Sequence, residues 1–141
     1  MHYLIILGII IFLAIADFIT GIIKAYVKNN ISSSKMRKGG LNKLATIIVQ
    51  TVSIGLEIGL NFIGKYYGHA DFTNVLGKFT VISVFTYIVI MEIISLLENY
   101  IAINPSAKWA KAIIKKFKDF ESEDDLKWIW MNFTRSITVK M

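Results

Sequence analysis

Three apolar runs dominate this chain, and they decide the solvent in which it folds. Tyr3 to Ile23 is 21 residues with one charge, Asp17; Leu44 to Ile63 is 20 residues with one charge, Glu57; Phe79 to Leu97 is 19 residues with one charge, Glu92. About 20 apolar residues in a helix cross a hydrocarbon core of roughly 30 Å. The runs are rich in Ile and Val, which would also suit buried strands, but strands are only about 4–8 residues long. A lone segment in lipid must satisfy its own backbone, so each run reads as a helix. The only proline, Pro105, lies beyond the third run and breaks none of them. The expected fold is therefore an all-α integral membrane protein with three transmembrane helices. A membrane domain over residues 1–103 carries the spans at about 3–23, 44–63 and 79–97, and a tail follows over 104–141. A cleaved signal peptide is not expected, because Met1-His2 carries no Lys or Arg and the first apolar run is too long for one.

Orientation follows from the basic flanks. The first link holds six Lys or Arg residues (Lys24, Lys28, Lys35, Arg37, Lys38, Lys43), the second link two (Lys65, Lys78), and the tail eight. Three spans place the first link and the tail on one side, which predicts the N-terminus outside and the C-terminus inside. The links read as polar loops: Asn29 to Gly40 carries a serine run and Gly39-Gly40, and Gly64 to Lys78 carries Tyr66, Tyr67 and Phe72, which suit a headgroup-level aromatic belt. After Asn104-Pro105-Ser106, the apolar residues Trp109, Ala110, Ile113, Ile114, Phe117 and Phe120 recur at helical spacing. Lys108, Lys111, Lys115 and Lys118 take the other side. This predicts a basic amphipathic helix at about 105–120 lying on an anionic inner leaflet. Lys35, Arg37, Lys38, Lys43, Lys108, Lys111, Lys115 and Lys118 are the expected headgroup contacts. The acidic run Glu121 to Asp125 and the tryptophan-bearing end from Leu126 to Met141 receive no role.

Each span keeps one carboxylate, although a charge at mid-bilayer costs about 2.5–3.5 kcal/mol on insertion scales. No Lys or Arg lies deep in any span. The acids must then carry a proton or face water or polar partners. At about 1.5 Å per residue, Asp17 and Glu92 fall at one depth, roughly 6 Å inward of centre, and Glu57 falls a similar distance outward. In the second span, Thr46, Gln50, Ser53, Glu57, Asn61 and Gly64 recur at helical spacing and form one continuous polar face. Gly55 and Gly59 add a small-xxx-small pair beside it. Two readings of this face stay open: polar glue among the three helices, or a wall lining water once several copies assemble. A shorter stripe in the first span runs Asp17, Thr20, Gly21, Lys24, Lys28, and the third span, with Ser83 and Thr86, shows no comparable one.

No catalytic constellation is present. With zero cysteines there is no thiolate chemistry, and His2 and His69 are too few for a metal site. There is no phosphate-binding glycine loop and no nucleophile–base pair of recognisable spacing. The basic residues do not interleave with aromatics in a soluble patch, which argues against nucleic acid. No cofactor and no metal is expected, and the chain reads as a non-enzyme.

Two motifs carry a resemblance. Asp17-Phe18-Ile19-Thr20-Gly21-Ile22-Ile23-Lys24-Ala25 closes the first span. Ser32-Ser33-Ser34-Lys35-Met36-Arg37-Lys38-Gly39-Gly40-Leu41-Asn42-Lys43 leads into the second. In this order and separation they resemble the toxin secretion/phage lysis holin family, over about residues 1–118; the tryptophan-bearing end departs from that family's short polar tail. The resemblance implies a small protein of the bacterial cytoplasmic membrane that accumulates, assembles with its own copies into lesions, releases an endolysin or a toxin and collapses the membrane potential. Its partners would be anionic lipids and its own copies, with endolysin or toxin as a functional partner that is not stably bound. On this reading Thr46, Gln50, Ser53, Glu57 and Asn61 form the wall, Gly55 and Gly59 the contact between copies, and Asp17 and Glu92 inner-half switch or packing acids. The alternatives are a regulatory antiholin on the same scaffold, a small transporter and a lipid kinase of three spans. The kinase would need carboxylates clustered for magnesium, which the depths of Glu57 and Glu92 oppose. The transporter is opposed by the charge asymmetry.

Overall fold

The computed structural model describes residues 2–120 of the chain. The acidic run at 121–125 and the stretch 126–141 lie outside the described residues. Four helices follow one another: α1 (His2–Val27), α2 (Ser33–Tyr66), α3 (Ala70–Ile103) and α4 (Lys108–Phe120). Three of them are long and apolar enough to cross a membrane, and most of each apolar window is exposed. Leu4, Phe12, Ile48, Phe62, Phe79 and Ile82 all point outward. A water-soluble domain does not leave such a continuous apolar surface open, whereas lipid covers it without cost.

The helices outrun the spans read from the sequence. α2 and α3 each have 34 residues, or about 51 Å at 1.5 Å per residue, against a hydrocarbon core of about 30 Å. The two expected loops are largely helical. Residues 33–40 open α2 despite the paired glycines; Gly40 lies against Phe18, so its missing side chain lets α1 come close. Residues 70–78 open α3, with Asp71 in its first turn, where a carboxylate favours the positive end of the helix dipole. What remains between the long helices are tight turns of one kind. After α1, Asn29 takes a positive φ of 48°, the Asn30 amide donates to the Ala25 carbonyl at 2.9 Å and the Asn29 amide to the Tyr26 carbonyl at 3.0 Å. After α2, Gly68 takes φ of 74° and the His69 amide donates to the Gly64 carbonyl at 2.8 Å. A left-handed residue followed by a six-to-one bond is the Schellman ending, which satisfies carbonyls a helix otherwise leaves open. Asn and Gly are the residues that adopt that conformation cheaply.

The short turns make α1, α2 and α3 successive antiparallel neighbours, with α3 packed against both of the others and against α4. The α2–α3 turn is tight because Gly64 meets Thr73, where a methyl group would overlap the threonine side chain. At the opposite end, Asn104-Pro105-Ser106 stops α3. The Ser106 hydroxyl donates to the Asn104 side-chain oxygen at 2.6 Å, and α4 folds back beside α3. Ala107, Ala110 and Ile114 are buried there, while Trp109, Ile113 and Phe117 stay exposed. The amphipathic helix thus divides its apolar surface. One strip packs on α3, where Trp109 also meets Tyr100 with ring centroids 5.7 Å apart, and another faces outward. Its lysines Lys108, Lys111, Lys115 and Lys118 are exposed. Lys118 pairs with Glu98 at 3.2 Å, an exposed contact that contributes little.

Candidate functional site: a polar seam inside the bundle

The polar residues of the spans converge on the interior. α1 buries Ile10, Ala14 and Asp17; α2 buries Gln50, Ser53, Ile54, Glu57 and Gly64; α3 buries Gly77, Val81, Ile88, Glu92 and Asn99. These spacings of three, four and seven each trace one face of a helix. The result is a polar seam running much of the bundle's length, with apolar flanks turned to lipid.

One end of the seam is an ion-pair cluster fed by all three long helices. The Lys43 ammonium lies 2.6 Å from the Asp17 carboxylate and 2.6 Å from that of Glu92. Asp17 and Glu92, which share a depth by sequence, here share a cation. The Asn99 amide donates to Asp17 Oδ1 at 2.9 Å, and Lys24 donates to Asn99 Oδ1 at 2.8 Å. The Thr20 hydroxyl donates to the Asp17 carbonyl at 3.0 Å. Both carboxylates are nearly inaccessible and Lys43 is only 21% exposed. Charge-assisted bonds of this length hold α1, α2 and α3 in one register.

The cluster corrects two expectations. Lys43 is not a headgroup contact: its long side chain turns inward, along the same α2 face as Thr46, Gln50 and Ser53, to reach the acids. Asp17 and Glu92 do have a cation, one that stands just before the second span and reaches into the bundle. On α3, Glu92 shares a buried face with Asn99, which lies just past the end of the apolar run, so counting within the run misses it.

The middle of the seam is less well satisfied. Gln50 is fully buried; its amide donates to the Ser53 hydroxyl at 3.0 Å, and that hydroxyl donates to the Gln50 carbonyl at 2.8 Å. The Gln50 side-chain oxygen has no partner among the described residues. An unsatisfied buried acceptor costs about 1–3 kcal/mol. Further along, Glu57 is 4% exposed, has no ion-pair partner among the described residues, and is approached by Tyr3 from α1. It lies apart from Asp17 and Glu92, packed over Gly77, where a methyl group would fall 2.9 Å from Glu57 Cγ and 3.1 Å from its Cα. Gly77→Ala is accordingly expected to push α2 from α3 and destabilise the bundle by about 1–3 kcal/mol, read as an earlier midpoint in denaturant titration of the purified protein.

The remaining candidates sit at the margins. Thr46 and Asn61 are half-buried at the ends of the stripe, and the Thr46 hydroxyl donates to the Asn42 carbonyl at 3.0 Å. Gly55 is exposed and Gly59 half-buried, and among the described residues nothing lies within 4 Å of where a side chain would begin at either. Among the described residues this pair therefore packs against no neighbouring helix. Lys35, Arg37 and Lys38 are exposed.

A three-span helical bundle with apolar flanks and a buried polar seam defines a small multi-pass membrane protein. The bacteriophage holin family model matches residues 2–121, and the chain belongs to that family. No curated protein and no solved structure matches it. Family and spans together place it in the cytoplasmic membrane.

Proposed function

We propose that this protein is a pore-forming holin, without enzymatic activity, that opens the bacterial cytoplasmic membrane to an endolysin or a protein toxin. The reading is supported above all by the seam: a fully buried glutamine whose side-chain oxygen has no partner, and a buried glutamate with no counter-ion, among the described residues. Such groups gain from meeting water. In one copy they are hidden between helices. In a crowd of copies the bundle can open, with Gln50, Ser53 and Glu57, flanked by Thr46 and Asn61, facing a shared aqueous wall while the apolar flanks stay in lipid. Gly55 and Gly59 offer the close-approach face between copies. The Lys43 cluster holds the closed form until association offsets its loss. The termini are assigned N-outside and C-inside, so that the basic α1–α2 turn and α4 meet the inner leaflet.

Association of many copies depends steeply on density, which predicts a threshold. Reconstituted into vesicles at rising protein-to-lipid ratio, the full chain should stay sealed and then release an enzyme-sized marker abruptly. Vesicles that remain sealed at every density would contradict pore formation. Co-expression with an endolysin tests the biological role, with lysis expected; a chain that only delays lysis by another holin would be a regulator.

A further inference from the structure

We propose that the cavity between the end of α1 and the start of α2 binds the phosphate of an anionic phospholipid headgroup. The cavity measures about 360 Å³, within the size range of small-ligand pockets. Lys24 from α1, Lys28 just after it and Lys35 from α2 line it. Asp17, Lys43 and Asn99 also line it.

The charges do not cancel. Asp17, Glu92 and Lys43 together carry one net negative charge, committed to one another at 2.6 Å. Lys24 spends its bond on the neutral amide oxygen of Asn99, and Lys35 reaches only the amide oxygen of Asn30, at 3.3 Å. Three ammonium groups thus face one cavity with no carboxylate on any of them among the described residues. Their position at the helix ends, just beyond the first apolar run, is where headgroup phosphates lie. Basic pockets between spans at that level take lipid headgroups.

The walls select the source of the phosphate. Phe18, Ile22 and Met36 line the same cavity, an apolar surface that acyl chains cover and a free phosphate ion does not. A lipid seated here would bridge α1 and α2 next to Lys43, adding a clamp to the closed bundle. The proposal requires only the membrane-spanning fold and does not depend on pore formation.

The test is lipid binding to the purified full-length protein in neutral detergent, read by native mass spectrometry. Short-chain phosphatidylglycerol should give a saturable one-to-one adduct, phosphatidylcholine a weaker one, and inorganic phosphate should not displace the lipid at matched concentration. Lys28→Gln with Lys35→Gln should weaken the phosphatidylglycerol adduct on the order of tenfold. Lys115→Gln with Lys116→Gln removes the same charge from α4 and should change it less than about twofold. Equal weakening by both pairs, or equal binding of phosphatidylcholine, would overturn the pocket; displacement by inorganic phosphate would overturn its assignment to a lipid. Because no outcome is read through membrane rupture, failure here would leave the permeabilisation threshold untouched.

Discussion

Lys43→Met is expected to lower the protein density at which membranes open by at least about tenfold. The substitution keeps much of the side chain's length and removes its charge, leaving Asp17 and Glu92 facing each other at side-chain exposures of 7% and 5%. Breaking a buried pair by deleting one partner costs about 3–5 kcal/mol, because the remaining charge is uncompensated. Here two carboxylates lose one shared cation. On the proposed pore reading, that cost falls on the closed bundle and is relieved once the acids reach water, so the balance should move toward the open form. Insertion should persist, since the apolar flanks are unchanged. The triple variant Lys43→Met, Asp17→Asn, Glu92→Gln carries no buried charge in the cluster and should return the threshold most of the way to that of the parent. Induced expression with timed dye entry measures both. An unchanged onset in the single variant would show that the cluster does not hold the closed state.

The second large effect lies at the other end of the seam. Glu57→Leu should insert normally and accumulate, yet release of an enzyme-sized marker should fall at least about a hundredfold. Leucine has no reason to leave the interior for water; burying it contributes about 1.5–3 kcal/mol. On the proposed pore reading, the residue that would draw the seam toward solvent becomes one that anchors it shut. Glu57→Gln keeps a polar group of the same size and should retain most activity. This pair of variants separates polarity from charge. Loss in both would make a carboxylate indispensable, and lysis on schedule by Glu57→Leu would remove Glu57 from the wall.

Much of this architecture is legible in the sequence. The three long helices follow from the apolar runs, since lipid leaves the backbone no cheaper option. That Gln50, Ser53 and Glu57 share one face follows from their spacing; that this face is buried within one copy does not, since the same spacing serves a wall between copies equally well. The common level of Asp17 and Glu92 follows from counting residues at a fixed rise. Three features were not legible. A lysine at a span boundary can snorkel either way, because four methylenes let its head reach water or the interior; only the position of its neighbours decides, and Lys43 turns in. Asn99 stands past the apolar run, and a search confined to the run ends before it. The helical starts of α2 and α3 run through glycines that read as turn signals; Gly40 and Gly77 are instead points of close helix approach, to Phe18 and Glu57. Glycine costs up to about 1 kcal/mol in a helix, and close packing offsets that cost in a way that local propensity does not reveal.

The most direct test of the central claim uses the absence of native cysteine. Ser53→Cys places a near-isosteric thiol on the buried seam, and Ile48→Cys places one on the lipid-facing flank. A water-soluble, membrane-impermeant thiol reagent is applied to vesicles below and above the density at which marker escapes. The account predicts that Cys at position 53 is protected below the threshold and labelled above it, while Cys at position 48 is protected in both. Escape of the marker with position 53 still protected would mean that the membrane opens without exposing the seam, and the account would be wrong.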